Sequence, residues 1–400
     1  MASRGEINKK EIQPILSEKW DVIPFVSSIE NIGTFPKVKT SDCFEEGTYP
    51  VVDQSEKDIT GYINNEELLY KGDLPIIIFG DHTRNIKYVD FPFAAGADGT
   101  KILHTTSILD SKFFYYYLKS LQIPNLGYSR HYSILKQLDV PVPSLNEQKQ
   151  IAEKLDKLFD QIETIKEASN KIPEFLKNFR QQVLTYAVTG KLTNSDFAHW
   201  EKSTIGAIGK VKGGKRLPKG EELVNYNTGY PYIRARDLKE GTVLKQNIMY
   251  LLPETQEKIK NYIVKTNDVY ITIVGAKIGD AGIIPESMNN ANLTENAAKI
   301  TDLSEKIMPQ YLSLWLQTPL CQSEIQQSIK SAAQGKLALT RINSLSVCFP
   351  PIESQKEIID KVEYLLRELK IIGSKFYLLQ DILEKLPQAL LCKAFKGELL

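Results

Sequence analysis

Apolar residues between Val140 and Leu192 recur in steps of four and three: Ile151, Leu155, Leu158, Ile162 and Ile165, with the phase carried on by Ile172, Leu176, Phe179 and Val183. This spacing keeps one stripe of an α-helix apolar and is the a/d pattern of a helix–helix seam. The pattern returns near the end of the chain in Ile358, Val362, Leu365, Leu369 and Ile372, then Phe376, Leu379, Leu383, Leu386 and Leu390. Pro173 interrupts the first copy, and the unbroken phase across it predicts a kink or a brief interruption. Ser144 with Glu147 reads as a capping box at the helix start, and Gly190 and Gly397 stand where C-terminal stops belong.

The two stripes are copies of one unit. VPVPSLNEQKQIAEKLDKLF from Val140 aligns without gaps with VCFPPIESQKEIIDKVEYLL from Val347, so that Gln355 lies 207 residues after Gln148. The same offset still pairs Gln181 with Gln388, Ala187 with Ala394 and Gly190 with Gly397. A single amphipathic stripe is most simply a helix on a local core; two seams of equal length in one chain are able to cover each other. We expect them to pair mainly with one another, leaving the adjacent segments to bury their own cores.

Those segments have another texture. They alternate Gly, Pro and Tyr with β-branched runs such as LPIIIF from Leu74 and DVYITIV from Asp268, the pattern of mixed α and β globules. They resemble each other weakly but in order: Trp20 with Trp200, Asp73 and Gly80 with Asp268 and Gly275, Lys101-Ile102 with Lys299-Ile300. The chain is therefore a tandem duplication whose helices stayed alike and whose globules diverged.

With 42% hydrophobic and 25% charged residues, the composition is that of a folded protein, and no run reaches the roughly 18 apolar residues of a membrane span. The opening MASRGEINKKEIQPIL lacks the apolar centre of a signal peptide, so a cytoplasmic location and no membrane partner are expected. Cys43, Cys321, Cys348 and Cys392 form no C-x-x-C pair, and the four histidines are dispersed, so neither a metal nor a cofactor is expected. Lys plus Arg is 50 against 49 for Asp plus Glu; any binding of nucleic acid has to come from local patches.

Several enzymatic motifs are approached and missed. Gly209 to Arg216 nearly fits the phosphate-binding G-x-x-x-x-G-K-[ST], but Arg216 replaces the hydroxyl that holds magnesium. The glycines at 275, 279 and 282 miss the dinucleotide spacing and read as a bent strand or turn. Phe349-Pro-Pro-Ile352 lacks the amide or carboxylate of an adenine methyltransferase, and Glu147-Gln148-Lys149 reads as surface capping at a helix start.

Basic and aromatic stretches remain. Lys210, Lys212, Lys215, Arg216 and Lys219, followed by Arg234 and Arg236, form a glycine-broken run suited to phosphates, although a solvated loop explains it equally. In the first half His82, Arg84, Asn85 and Lys87, and beyond them Ser129 and Arg130, combine turn glycines with side chains able to read base edges. Turn stabilisation accounts for His82 and Asn85 as well. Lys277 and Lys336 complete the candidate DNA-binding set in the second half.

The repeated P-x-x-x-x-Q-K-x-I helix ending in Q-x-x-L-x-x-A-x-x-G-x-L resembles the specificity subunits of type I restriction-modification systems over essentially the whole chain. GTYPVVDQSEKDITGY, IIIFGDHTRNIKYVDFPFAAGADGTKIL, GKRLPKGE and GYPYIRARDL are further family-like stretches, and Ser354 departs from the acidic residue usual before the repeat glutamine. The resemblance implies an α+β protein with target-recognition domains at residues 1–140 and 193–347, and helical spacers at 141–192 and 348–400. It implies that the spacers form an antiparallel coiled coil with pseudo-twofold duplication. It implies a non-catalytic chain that binds double-stranded DNA at an asymmetric bipartite site, docks two methyltransferase subunits and works with motor and endonuclease subunits. The competing readings are the specificity component of a related system with a fused methylase-nuclease partner, and a coiled-coil scaffold that binds no DNA.

Overall fold

The computed structural model describes residues 8–97, 99–127, 129–193, 197–330 and 335–400. Residues 1–7 and Tyr128, next to the candidate Ser129, lie outside the described residues. The chain divides into two compact units, Met1–Asn170 with Tyr377–Leu400, and Lys171–Phe376.

In the first unit the β-branched run at Ile76–Gly80 is a fully buried central strand. It pairs antiparallel with Ile86–Val89 on one side and Thr100–Leu103 on the other. A second sheet orders Lys37–Val38, Ala94–Gly96, Tyr49–Val52 and Gly61–Ile63. Asp21–Pro24 pairs with Asp139–Val142, closing the segment just before the repeat helix begins at Leu145. Helix α1, Ser111–Ser120, starts at Asp110, whose carboxylate accepts from the N–H groups of Lys112 and Phe113. It presents Phe113, Phe114 and Tyr117 to the core.

Helix α2, Leu145–Ser169, follows, and Ser144 accepts from the Glu147 N–H, one half of the expected capping box, while the Glu147 carboxylate accepts from Trp20 Nε1 at 3.1 Å instead of turning back to Ser144. Its first turns do not wait for the other helix. Ile151, Ala152 and Leu155 sit in the same core as Trp20, Phe113, Leu391 and Phe395, so the globule and both repeat helices share one apolar interior. This differs from the expected self-covering pair: a globule of this size gains apolar burial by using the helix faces as a wall.

The second unit repeats the design. Val269–Thr272 is buried between Ala281–Ile283 and Ala297–Thr301, and Lys210–Gly213 extends the sheet to four strands. Pro231–Ile233 lies between Met249–Tyr250 and Asn292–Leu293, and Glu201–Thr204 pairs with Ser346–Phe349. Helix α3, Ile172–Ala187, begins with Pro173 in its first turn, so the predicted break falls between Ser169 and Ile172. Helix α4, Pro309–Leu316, packs Tyr311, Leu312 and Trp315 into a core with Trp200, Ile358 and Val362. Helix α5, Ile352–Phe395, contributes its N-terminal part to this unit and its C-terminal part to the first.

Three local arrangements recur in the two units. Trp20 stands edge-on to Phe113 at 6.3 Å and Trp200 edge-on to Tyr311 at 6.4 Å. Gly190 and Gly397, just beyond their helices, adopt φ of +77° and +76°, which glycine takes without a Cβ penalty. Gln148, read as part of a surface cap, is instead completely buried, and so is its copy Gln355. Gln148 Oε1 accepts from the Asp110 N–H at 2.7 Å, while its Nε2 donates to the carbonyls of Ile108 and Pro143. Gln355 accepts from Met308 N–H at 2.8 Å and donates to Lys306 and Pro350. Helix start and globule are thus locked by an amide whose donor and acceptor are both used.

Along the helices, Ile151, Leu155, Ile162, Ile358 and Val362 are buried, and Leu158, Leu365 and Leu369 are half-buried. Ile165 and Ile372, the same place in the two copies, are 44% and 48% exposed. In the first unit Lys154 donates to the Leu399 carbonyl and Gln380 to the Ser169 hydroxyl, so partner numbers fall as α2 advances. In the second, Lys361 donates to the Leu192 carbonyl, and a Cβ on Gly373 would lie 3.8 Å from Leu176.

Candidate nucleic-acid interface

In the first unit, the turn after the central strand carries the predicted residues. Arg84 sits at φ +66°, and the Gly80 carbonyl accepts its N–H, closing a tight loop. The turn is laid against Gln54. Gln54 Oε1 accepts from the His82 N–H, and its carbonyl accepts from Thr83 Oγ1 and Asn85 Nδ2. Arg84 Nη1 donates to the Ile123 carbonyl at 3.0 Å.

Lys87 is buried. Its ammonium donates to the Lys57 carbonyl and lies 3.9 Å from Asp53, and burial pulls its pKa below the usual lysine value against the opposing charges of Asp53 and Asp58. Burial likewise pushes the Asp53 carboxyl up, but hydrogen bonds from Ser55 and Thr60 and the charge of Lys87 outweigh it and hold it below the usual carboxylate value. Asn85 and Lys87 are therefore occupied in shaping the turn. Ser129 and Arg130 are exposed on the neighbouring loop, which reaches the turn through the His131 N–H donating to the Asp81 carbonyl at 2.8 Å.

In the second unit the basic run begins on an edge strand and leaves it at Gly214. A Cβ there would meet the Thr294 carbonyl oxygen at 2.0 Å, so this close approach requires glycine. Lys215 N–H donates to the Leu293 carbonyl, Tyr232 Oη donates to the Lys215 carbonyl, and the Lys215 ammonium lies 5.4 Å from the Tyr262 ring centre. Arg216, 80% exposed, donates to Glu295 Oε1 at 2.7 Å; that hydrogen bond raises the guanidinium pKa. Burial raises the Glu295 carboxyl, but the bond from Arg216 and the Thr294 hydroxyl prevail and lower it.

Lys212 and Lys210 both face Asp302, at 3.9 and 3.3 Å. Lys219, Arg236, Lys277 and Lys336 are exposed. Arg234 turns inward, with Nε and Nη2 on the Asp237 carboxylate and Nη2 also on the Asn247 carbonyl. Ile273 N–H donates to the Asn296 carbonyl and Leu337 N–H to the Ile273 carbonyl, which brings the loops bearing Arg216, Lys277 and Lys336 together. Lys219 lies three residues further along the loop of Arg216, and Arg236 lies in the short helical turn Ala235–Asp237.

Sequence reasoning missed Gln54, Asp81 and His131 as organisers of the first unit's loops. Gln54 follows a strand in a polar run like many others, and nothing along the chain marks that its partners lie about thirty residues away. Among the described residues no cluster of three His, Cys, Asp or Glu is placed to hold a metal, and no helix is long and apolar enough to cross a membrane.

Two divergent loop-bearing globules, each clamped by the same glutamine to a repeated helix, define a duplicated, modular class of protein. The chain belongs to the type I restriction modification DNA specificity domain family, which matches residues 18–174 and again 198–375. It is 31% identical over 373 residues to the type I restriction enzyme EcoBI specificity subunit of Escherichia coli, covering 85% of this chain and 76% of that one. The Salmonella potsdam StySPI specificity subunit is 31% identical over 66% of this chain and 58% of its own length. The fold resembles the HsdS subunit from Thermoanaerobacter tengcongensis, with a TM-score of 0.65 at 15% identity over 96% of this chain and 98% of that one. A chain solved in work on complex assembly and conformational transition of the type I R-M system gives 0.67 at 14% identity, covering 96% and 99%.

Proposed function

We propose that this chain is the non-catalytic DNA-reading subunit of a type I restriction-modification complex, with each globule reading one block of an asymmetric bipartite site in double-stranded DNA. The observation that carries this reading is the contrast between Gln148 and Gln355, whose bonds are the same, and the exposed loops of the two globules they anchor, which differ. One globule presents Ser129 and Arg130 beside the His82–Asn85 turn; the other presents Lys215, Arg216, Lys277 and Lys336. A common anchor with unlike reading loops is what two unlike half-sites require.

In this proposal the exposed cations Lys212, Lys215, Arg216, Lys219 and Arg236 meet phosphates, and Arg130 meets a base edge. Arg84, Asn85, Lys87 and Arg234 hold their loops in shape. The repeat helices form an antiparallel coiled coil with pseudo-twofold symmetry, supported by the equivalence of Lys154 with Leu399 to Lys361 with Leu192. Its length sets the unread spacer between blocks. The exposed Ile165 and Ile372 and their apolar neighbours receive two methyltransferase subunits, and a motor and endonuclease subunit completes a complex acting in the cytoplasm.

The test is methylation mapping in cells that carry the chain with its modification partners. An asymmetric target of two short blocks is expected, and exchanging residues 193–346 for a relative's should change one block alone. A change in both blocks, or methylation without sequence preference, would overturn the proposal.

A further inference from the structure

Resting on the reading of the first globule's loops as DNA-facing, we infer that His131 is the positioning residue that fixes those loops relative to one another. It sits completely buried between them. Leu126 N–H donates to His131 Nε2 at 3.2 Å, so that nitrogen carries a lone pair; the ring proton therefore sits on Nδ1, which lies 2.9 Å from the Asp81 carbonyl and donates to it. The same carbonyl accepts from the His131 backbone N–H at 2.8 Å.

Asp81 extends the junction in the other directions. Its Oδ1 accepts from the Tyr132 N–H at 2.8 Å, its N–H donates to the Gly99 carbonyl, and Lys101 lies 3.9 Å from Oδ2. One imidazole thus ties the loop carrying Ser129 and Arg130 to the turn carrying His82 and Arg84. Asp81 adds the Gly99 loop. A side chain that reads a base edge must be held to a fraction of an ångström, and these loops have no regular secondary structure to do so.

The second globule uses other means. There the loop ahead of Leu339–Ser344 is tied by Leu337, whose N–H donates to the Ile273 carbonyl and whose apolar side chain enters the core. The imidazole relay belongs to the first globule alone among the described residues, so its loss should be felt in one half-site.

The experiment uses the full chain assembled with its modification partners, and compares discrimination against single-base changes in each block. His131→Leu is expected to reduce discrimination in one block by roughly tenfold or more while leaving the other unchanged, and to speed amide exchange at residues 124–131. His131→Gln, whose amide supplies one donor and one acceptor, is expected to restore most of it. Leu126→Pro, at an exposed position, deletes the N–H donor without touching the core and should reproduce the loss even if His131→Leu does not fold. Discrimination in both blocks that survives these substitutions, or an equal loss in both from a folded chain, would overturn the assignment. Absence of sequence preference in the unsubstituted complex would overturn the DNA-reading proposal itself.

Discussion

Gln148 and Gln355, 207 residues apart, each accept one backbone N–H and donate to two backbone carbonyls from a completely buried position. The hydrogen bonds connect the first turn of a repeat helix to the loop that precedes the helix of its globule. Replacing either side chain by leucine strands a buried donor and carbonyls together, so we expect a loss of about 2–4 kcal/mol. Hydrogen exchange should place the loss around residues 106–152 for Gln148→Leu and 304–359 for Gln355→Leu. Destabilisation spread evenly over both units by either change would show that the two anchors are not separate.

Charge removal separates holding from reading. Lys212→Ala, Lys215→Ala and Arg216→Ala together should weaken binding to specific and random DNA alike, and should reduce the salt slope by roughly one unit for each phosphate that is no longer neutralised. Arg130→Ala should instead alter preference in one block, at about 1–3 kcal/mol. Titrations at several salt concentrations with matched and mismatched duplexes distinguish the two, and an equal loss on all duplexes for Arg130→Ala would remove it from base reading.

Acid acts on the Asp53–Lys87 pair. A carboxyl held below its ordinary value contributes stability that is present above the unfolded pKa, near 3.9, and is lost as pH falls through the lower folded value. Asp53→Asn should therefore cost about 1–3 kcal/mol at neutral pH, where it removes the paired carboxylate from the buried Lys87. The difference from the unsubstituted chain should shrink as pH falls below the ordinary carboxylate range. Urea unfolding at neutral and at acid pH measures it, and a gap independent of pH would exclude this pair as the cause.

The proposed ruler makes a length prediction. Adding one heptad to the first repeat after Ser169 and a matching heptad before Gln380, which bonds to it, should add about 10 Å, or roughly three base pairs, to the unread spacer. Both blocks should keep their sequences. Methylation mapping that returned the original spacing would show that the helices do not set it.

The sequence by itself determined the repeat, its helical phase and its stops. Each of these is written in local periodicity: the four-three steps from Ile151, the Ser144 cap and the left-handed Gly190 and Gly397 depend on residues within a few turns. The buried strands at Ile76–Gly80 and Val269–Thr272 were legible for the same reason, since an unbroken β-branched run bounded by turn residues has few other uses. Only the tertiary structure decided what the polar side chains do. Gln148 lies in a run of charged and amide residues that reads as surface, yet it is buried because Ile108 and Asp110 supply partners from a distant segment, beside Pro143 just ahead of the helix. Lys87 reads as a free cation until Asp53 and Lys57 are folded against it, while Arg130 and Lys336 remain exposed. His131 carries no signal at all along the chain. A polar group's role is set by which donors and acceptors surround it, and those are brought together by the packing of the apolar positions rather than by its own neighbours in sequence.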